Sequence, residues 1–365
     1  MSKSESLVFN YGTTDVVESL RLVPTSFGEL GPTQVFVEFL AVPINPLDLL
    51  VLHGQYPVKP HSHISISTGE SYPVPGSDGV ARVLQMGSAV PDLQIGDEVI
   101  VRTHCQGTWR THAQLEASHV LKVPSGLDPR HSALLRMGVL PAFFLLQDYH
   151  PLSPGDWIIL NAATGTVSHF VSQIAQLYGV NVVSVIRDRS DDGERERTER
   201  SLKSHGAGVV VTESQLTTTQ ALAGIRIVFG IDFVSDDKLT AAIAGVLAPG
   251  ATLLTAGFLG PASAPEVNLR KLLWERNITL RAFRISASIN KRSDKAQQSV
   301  INWLGGLLQR GALTSPLVNY IRWDQQDESR ESTLRHAVNQ AQDSPVGQRK
   351  TIVLFGSYSG GYTQL

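Results

Sequence analysis

The sequence predicts an α/β protein in which a doubly wound domain is inserted between two parts of a β-rich domain. The chain has 365 residues, which is more than one typical domain needs. Its first part reads mostly as strands, strand-like and helix-like runs alternate from about His131 onward, and the last part returns to mixed β. We therefore assign residues 127–312 to the doubly wound domain and residues 1–126 and 313–365 to the β-rich domain.

The elements of the β-rich part are marked by residue type. QVFVEFLAVPI (34–44) and DEVIVRTH (97–104) are rich in Val, Ile and Phe, and Gly-Pro or Gly-Asp pairs separate such runs. TIVLF (351–355) predicts the closing strand. Between these parts, HSALLRMGVLPAFFLLQDY (131–149) reads as a buried helix that Pro141 breaks or kinks.

In the inserted part, strand-like apolar runs alternate with runs that have helical periodicity. The strand candidates are WIILN (157–161), NVVSVIR (181–187), VVVT (209–212), IRIVFGIDFV (225–234) and ATLLTAG (251–257). The helix candidates between them include HFVSQIAQLY (169–178) and KLTAAIAGVL (238–247). Strands separated by helices of this length form right-handed βαβ units and a parallel sheet. NITLRAFRISA (277–287) predicts one more strand and QQSVINWLGGLLQRG (297–311) one more helix, whereas the charged run 190–200 indicates a solvated loop and a helix start.

Composition excludes several functional classes. Hydrophobic residues make up 42% and charged residues 18% of the chain, and the net charge of -2 gives no reason to expect nucleic acid or an anionic membrane as a partner. Apolar stretches such as 139–146 are far shorter than the ~20 residues of a membrane span. The single Cys105 excludes an intrachain disulfide and a Cys-rich zinc site. The N-terminus has no apolar signal core and no Arg-rich amphipathic segment, so we expect a cytoplasmic protein.

The turn after WIILN has the layout of a dinucleotide-binding βαβ unit. It reads Asn-Ala-Ala-Thr-Gly-Thr-Val-Ser (161–168), with Gly165 as its one glycine. Small residues permit close approach of a pyrophosphate to the helix N-terminus, and Thr or Ser hydroxyls add hydrogen bonds to phosphate. The alternative is a plain α/β turn that holds no ligand.

The end of the second strand bears on which nucleotide would bind. NAD-binding folds carry an acidic residue about 20 positions after the turn, and here Arg187, Asp188 and Arg189 stand there. Two guanidiniums can pair with a 2′-phosphate by charge-assisted hydrogen bonds, which favours NADP over NAD. A solvent-facing surface charge is the alternative for Arg189.

With these motifs, the sequence resembles the zinc-free branch of the medium-chain dehydrogenase/reductase superfamily, and within it the 2-enoyl thioester reductases of the mitochondrial type. The similarity runs over nearly the whole chain and is strongest at 43–60, 75–99, 152–179 and 201–216. It implies a Rossmann domain that binds NADPH, inserted in a GroES-like catalytic domain. Ser77-Asp78 stand where zinc alcohol dehydrogenases have metal ligands, so the resemblance implies no metal; we regard the pairs His61/His63 and His104/Cys105 as incidental.

The resemblance also implies site residues. Asn45-Pro46-Leu47-Asp48 followed by Tyr56 matches the family's segment with the catalytic tyrosine, so Tyr56 is the candidate donor and Asn45 a holder of the loop or of a water. A tyrosine that only shapes the pocket is the alternative for Tyr56. The remaining positions implied at the cofactor are Thr164, Gly165, Thr166, Val167, Arg187, Arg189, Gly257, Phe258, Phe283, Ile285 and Lys350.

The function that follows is NADPH-dependent reduction of the C=C bond of an α,β-unsaturated acyl thioester bound to CoA or a carrier protein. Two departures from the family, Arg284 in place of an aromatic residue and Gly-Val-Leu-Pro-Ala at 138–142, favour a specialised pathway. An NADPH quinone or enone oxidoreductase and a non-catalytic NADPH-binding protein are the alternatives. In this superfamily the strand equivalent to NITLRAFRISA pairs with its symmetry mate, so we also expect a homodimer.

Overall fold

Two large sheets organise the chain in the computed structural model, which describes residues 4–60, 62–64, 70–257, 268, 270–324, 330–343 and 349–356. The chain divides into two units, of which the first is Met1–Met137 with Ser293–Leu365 and the second is Gly138–Arg292. The predicted insertion of one domain into another is confirmed.

The strands in chain order are β1 (Glu5–Val8), β2 (Arg21–Pro24), β3 (Gln34–Pro43), β4 (Ser62–Ile64), β5 (Ser71–Pro73), β6 (Val80–Met86), β7 (Glu98–Val101), β8 (His112–Glu116), β9 (Val120–Lys122), β10 (Trp157–Leu160), β11 (Asn181–Ile186), β12 (Ala207–Thr212), β13 (Ile227–Asp232), β14 (Leu247–Thr255), β15 (Thr279–Ala282), β16 (Val318–Arg322) and β17 (Lys350–Leu354). The helices are α1 (Pro46–Leu52), α2 (Pro129–Ser132), α3 (Leu140–Asp148), α4 (Thr166–Leu177), α5 (Asp192–Ser204), α6 (Asp237–Val246), α7 (Ile285–Asn290), α8 (Asp294–Gln309) and α9 (Arg330–Asp343).

The second unit is built on a six-stranded sheet with the order β12-β11-β10-β13-β14-β15. All neighbouring strands in it are parallel. All six residues of β13 are buried, as expected for a parallel strand covered on both faces. The chain order reverses between β10 and β13, which gives the arrangement of dinucleotide-binding folds and confirms the predicted doubly wound domain.

The helix predicted before this sheet is divided in two. A π-helical turn covers Leu135–Val139, and α3 begins at Leu140. Pro141 lies in the first turn of α3, where its missing N–H removes no hydrogen bond within the helix. The predicted break therefore takes the form of a new helix start.

The first unit contains a mostly antiparallel sheet of seven strands with the order β16-β17-β3-β6-β7-β9, and β8 pairs with β3. The closing strand β17 pairs with β3, with Val353 opposite Val42. Phe39, Trp109 and Trp323 belong to the hydrophobic core of this unit. The two sequence segments of the β-rich part are therefore joined in one sheet and one core.

Two features differ from the sequence expectations. The expected mixed β character of the last part is wrong in one respect, because it contains helix α9, on which Leu334, Ala337 and Val338 are buried. Strand β15 also covers only four residues of NITLRAFRISA, and α7 begins at Ile285.

No described helix combines the length and the apolar content that a bilayer crossing requires.

The bounds of the units differ from residues 127–312 because α8 packs in the first unit. The side-chain amide of Gln298 donates to the carbonyl of Lys122 at 2.7 Å and accepts from its N–H at 3.1 Å. A Cβ at Gly305 would lie 2.7 Å from Cγ of Pro124, so this glycine permits close approach of the helix. These contacts group α8 with β9.

Candidate functional site

The turn after β10 presents a helix N-terminus at the carboxyl edge of the parallel sheet. Ala162 has φ +47°, and the N–H of Gly165 donates to the carbonyl of Ala162 at 2.8 Å, which closes the turn before α4. Thr164, Gly165, Thr166 and Val167 are all half-buried. The first N–H groups of a helix have no partner within it, so this turn can hold an anion.

A buried amide–carboxylate pair fixes the point where the strand order reverses. Nδ2 of Asn161 donates to Oδ1 of Asp232 at 2.6 Å, and Oδ1 of Asn161 accepts from the N–H of Phe233 at 2.7 Å. Both side chains have 0% exposure. The ends of β10 and β13 are thereby held together, and the loops that follow them are positioned at the usual ligand crevice of such sheets. Asp232 was not predicted as a site residue, although its position at the end of an apolar strand was the available signal in the sequence.

Gly257 brings the chain after β14 against the chain after β13. A Cβ at this position would lie 2.5 Å from the carbonyl oxygen of Phe233, so only glycine fits without a shift of the backbone. The hydroxyl of Ser235 donates to the carbonyl of Gly257 at 2.6 Å. Phe258, which was predicted beside Gly257, lies outside the described residues.

The residues after β11 have separate partners. The carboxylate of Asp188 accepts from the N–H of Ser214 at 3.1 Å and from its hydroxyl at 2.5 Å, and these hydrogen bonds lower the pKa of Asp188. Arg189 forms an ion pair with Glu194 on α5, while its Nε is buried without a partner among the described residues. Arg187 is exposed. Asp188 is thus hydrogen-bonded to Ser214. The guanidiniums of Arg187 and Arg189 belong to the same segment, which directly follows β11.

The segment after β15 was also predicted at the cofactor. Its Phe283 donates its N–H to the carbonyl of Thr255 at 2.8 Å, and its ring meets that of Tyr149 edge to face at 5.8 Å. Ile285 is only 6% exposed and begins α7, whereas Arg284 is exposed. At the carboxyl end of β15, the half-buried Phe283 and the exposed Arg284 can therefore contact a ligand, whereas the buried Ile285 cannot.

The first unit holds the other predicted residues near α1. Asn45 is the N-cap of α1, and Oδ2 of Asp48 accepts from its N–H at 2.8 Å. Nζ of Lys350 donates to Oδ1 of Asn45 at 2.8 Å and to the carbonyl of Ile44 at 3.3 Å. Tyr56 follows α1 and is half-buried. The predicted Asn45 and Lys350 are thus in direct contact.

Buried charges lie behind these residues. Burial raises the pKa of Asp48 to about 6 and that of Asp78 to about 7, with the positive charge of Arg136 acting against the rise at Asp78. Burial also lowers the pKa of Lys350 to about 8, against the attraction of both carboxylates. Because Asp48, Asp78 and Arg136 are at most 1% exposed, these charges interact with little screening by water.

His104 is connected to this group through Arg136. Nη2 of Arg136 lies 3.1 Å from Nδ1 of His104, and the rings of His104 and Tyr56 meet edge to face with centroids 6.0 Å apart. Burial, followed by the charge of Arg136, lowers the pKa of His104 to about 3. From the sequence, His104 was considered only as a metal ligand, and Arg136 carried no signal that singled it out. Among the described residues, no group of three or more His, Cys, Asp or Glu side chains is arranged to hold a metal.

Comparisons with known proteins agree with this geometry. A family model described as the alcohol dehydrogenase GroES-like domain matches residues 31–125. The mitochondrial enoyl-acyl-carrier-protein reductase of Homo sapiens is 31% identical over 314 residues, which cover 85% of this chain and 80% of the relative. The NADPH quinone oxidoreductase of Kluyveromyces marxianus is 28% identical over 347 residues, which cover 92% and 90%.

Solved structures of 2-enoyl thioester reductases are also similar to this chain. The mitochondrial 2-enoyl thioester reductase Etr1p/Etr2p heterodimer from Candida tropicalis matches with a TM-score of 0.84 and 26% identity, over 97% of this chain and 100% of that one. The Etr1p/NADP/crotonyl-CoA complex matches with a TM-score of 0.84 and 27% identity over the same shares. The chain therefore belongs to the medium-chain dehydrogenase/reductase superfamily and lies close to its 2-enoyl thioester reductases.

Proposed function

We propose that the protein is an NADPH-dependent reductase of the C=C bond of an α,β-unsaturated acyl thioester. The observation that carries this proposal is the half-buried Tyr56, whose ring meets that of His104 edge to face, while Nδ1 of His104 lies 3.1 Å from Nη2 of the buried Arg136. A phenol in a group that contains a fixed cation is suited to stabilise an oxygen that gains negative charge. The likeness to the Etr1p/NADP/crotonyl-CoA complex over 97% of the chain supports the same function.

The residues of the second unit fit NADPH. The N-terminus of α4, with Thr164 to Val167 half-buried around it, suits a pyrophosphate. Arg187 is exposed, and Nε of Arg189 has no partner within the part of the chain that the structure describes, so both guanidiniums offer donors for a 2′-phosphate. The carboxylate of Asp188 already accepts two hydrogen bonds from Ser214, which leaves it less acceptor capacity for ribose hydroxyls than an acidic residue without such partners has. We therefore assign Thr164, Gly165, Thr166, Val167, Arg187 and Arg189 to cofactor binding.

Held by the turn at Thr164 to Val167 and by Arg187 and Arg189, NADPH would supply the hydride that the β-carbon of the substrate receives in the proposed reaction. As the hydride arrives, the electrons of the C=C bond move toward the thioester carbonyl, and negative charge gathers on its oxygen. The Tyr56 hydroxyl, protonated at neutral pH as a phenol ordinarily is, donates a hydrogen bond to that oxygen. Asn45, held by Lys350, keeps the N-terminus of α1 and the chain before Tyr56 in place. The carbonyl C=O bond then re-forms, and the electron pair that returns to the α-carbon takes up a proton from water, which completes the saturated thioester.

A quinone or enone oxidoreductase is the second candidate function. The relative from Kluyveromyces marxianus favours it, because that protein is named an NADPH quinone oxidoreductase and matches over 92% of this chain. This chemistry needs no proton-donating tyrosine. The two functions therefore differ in what they require of Tyr56, and a variant at this position separates them.

The test is a panel assay with NADPH and the purified full chain. We expect reduction of crotonyl-CoA, and we expect Tyr56→Phe to lower its turnover by ~10²–10³ while NADPH affinity is unchanged, because only an interaction of the transition state is lost. Tyr320→Phe, which changes an exposed tyrosine on β16, is the matched control and should retain activity. Reduction of quinones without reduction of crotonyl-CoA would favour the second candidate. Binding of NADPH without any turnover would support a non-catalytic protein.

We also propose a homodimer formed through the edge strand β15, and a cytoplasmic location. All four residues of β15 are exposed at the end of the sheet, and the Etr1p/Etr2p neighbour is itself a dimer. The single cysteine suits a reducing compartment. Imaging of the full chain with a C-terminal fluorescent fusion tests the location, since the relatives named above include mitochondrial proteins.

A further inference from the structure

The contact between Arg136 and His104 fixes the tautomer of the imidazole. Nη2 of Arg136 lies 3.1 Å from Nδ1 of His104, and a guanidinium can only donate. Nδ1 must therefore accept, so it carries no proton, and the neutral ring has its hydrogen on Nε2. Arg136 cannot easily turn away, because its Nε donates to the carbonyl of Arg102 at 3.2 Å and its Nη1 to that of Ser77 at 3.1 Å.

The Nε2–H of His104 is available as a donor. The ring is half-buried, and among the described residues no hydrogen bond to its Nε2 is found, nor is this atom one of the buried groups without a partner. The ring lies edge to face with that of Tyr56 at 6.0 Å between centroids, so the two side chains are neighbours in the first unit. A neutral imidazole whose other nitrogen is held by a guanidinium is a fixed donor through its one N–H.

The surroundings keep this ring uncharged. Arg136 repels a second positive charge, and burial acts in the same direction, so that the pKa of His104 falls to about 3. The other titratable groups near Arg136 are the carboxyls of Asp78 and Asp48, the thiol of Cys105 and the hydroxyl of Tyr56. At neutral pH His104 can donate a hydrogen bond without giving up a proton, as suits polarisation of a carbonyl.

We propose that the Nε2–H of His104 is a second hydrogen-bond donor, beside the Tyr56 hydroxyl, for the thioester carbonyl oxygen that gains charge during reduction. This inference rests on the proposed function. His104 remains neutral throughout and transfers no proton, and Arg136 acts through it as a positioning residue. Two donors on one oxygen form an oxyanion hole built from side chains, in which each donor contributes to the rate.

A matched pair of substitutions tests the proposal. His104→Asn keeps a short amide near the position of Nδ1, which can still accept from Arg136, but it has no N–H near the position of Nε2. His104→Gln places an amide N–H near Nε2. We expect kcat for crotonyl-CoA to fall ~10²-fold in His104→Asn and to recover to within about tenfold of the unaltered protein in His104→Gln, with KM and NADPH affinity unchanged. His53→Asn, at an exposed histidine after α1, is the control and should leave kcat unchanged.

A second measurement does not depend on turnover. Nitrogen-15 NMR of the His104 ring should show Nε2 protonated and Nδ1 unprotonated between pH 5 and 8. An undiminished kcat in a folded His104→Asn, or protonation at Nδ1, would overturn the inference while leaving the reductase proposal intact. Absence of crotonyl-CoA reduction in the unaltered protein would instead refute the proposed function, and with it the role of His104, whatever tautomer the NMR shows.

Discussion

Nζ of Lys350 donates a hydrogen bond to Oδ1 of Asn45 at 2.8 Å, and so the first residue of β17 fixes the amide that precedes α1. The lysine is also attracted by the buried carboxylates of Asp48 and Asp78. One contact therefore links the closing strand of the sheet, the N-cap of α1 and the charges behind Tyr56. Its loss should affect both stability and the position of the chain before Tyr56.

Replacing the half-buried Lys350 by methionine should lower the free energy of unfolding by about 3 kcal/mol, because the buried carboxylates of Asp48 and Asp78 then lose a compensating positive charge. Lys122→Met is the control, since Lys122 pairs with Asp97 while its side chain is 38% exposed, and an exposed ion pair contributes at most about 1 kcal/mol. Urea unfolding at pH 7 measures both. Equal effects of the two substitutions would contradict the role of Lys350 in a buried charge group.

The raised pKa of Asp78 predicts a dependence of stability on pH. Because its pKa in the folded protein is about 7, against 3.8 ordinarily, the folded state holds this proton more tightly than the unfolded state. The contribution of Asp78 to stability is therefore present at low pH and is lost as pH rises from about 4 through 7, by ~1.4 kcal/mol per pKa unit at most. The Asp78→Asn side chain cannot titrate, so this variant does not lose that contribution as pH rises. The free energy of unfolding of the variant minus that of the unaltered protein should therefore increase from pH 4 to 7.

The measurement is chemical unfolding of both proteins at several pH values. The test is how the difference in free energy of unfolding between the two proteins changes with pH. Its absolute size is not informative, because the substitution also removes the attraction between Asp78 and Arg136. His104 contributes in the opposite sense in both proteins. Its lowered pKa gives stability above pH 6.5 that is lost as pH falls toward 3, and this term cancels in the difference. A difference that stays constant from pH 4 to 7 would show that Asp78 does not titrate in this range.

The sheet of the second unit could be predicted because its strands are continuous apolar runs. Helix α9 was missed because most of its residues are polar, and its burial depends on Leu334, Ala337 and Val338 alone. The start of α7 was missed because Phe283-Arg284-Ile285 continues the strand pattern of β15 with no breaker residue. Local composition thus identified elements buried on all sides, and it identified poorly those with one narrow buried face.

Some residues of the candidate site could likewise be predicted from the sequence, and others could not. The positions of Tyr56, Asn45 and Lys350 were available from family resemblance, and the contact of Asn45 with Lys350 joins two of them. The pair of Arg136 and His104 is separated by 32 residues, and no spacing rule connects them. Such contacts arise when the chain after β7 and the helical turn that contains Arg136 pack together, so they can be found only in three dimensions.

The edge strand β15 predicts the oligomeric state. Its backbone has an unpaired side in the described sheet, Leu280 is 41% exposed, and Trp274 shortly before it is 87% exposed. An exposed edge with apolar side chains favours pairing with a second copy. Leu280→Lys should therefore shift the protein toward monomer in light scattering at micromolar concentration, whereas Leu317→Lys, at an exposed leucine before β16, should not. A monomeric unaltered protein would exclude the dimer.

The ion pair of Arg189 with Glu194 predicts how cofactor affinity can be increased. A 2′-phosphate must compete with the Glu194 carboxylate for the guanidinium, so Glu194→Gln should strengthen NADPH binding. The side chain of Glu194 is 49% exposed, and loss of such a pair changes the free energy by at most about 1 kcal/mol, which corresponds to roughly fivefold in affinity. Glu199→Gln on the same helix, where Glu199 pairs with Lys203, is the matched control.

Removal of both guanidiniums should have the opposite effect. Substitution of Arg187 and Arg189 by methionine should weaken NADPH binding by several kcal/mol at most, because each charge-assisted hydrogen bond contributes ~1.5–3 kcal/mol. NADH binding should scarcely change in any of these variants, since NADH has no 2′-phosphate. Fluorescence titration with both cofactors measures the affinities. If the unaltered protein binds NADPH and NADH equally, neither arginine recognises a 2′-phosphate, and the assignment of this edge of the sheet to NADPH fails.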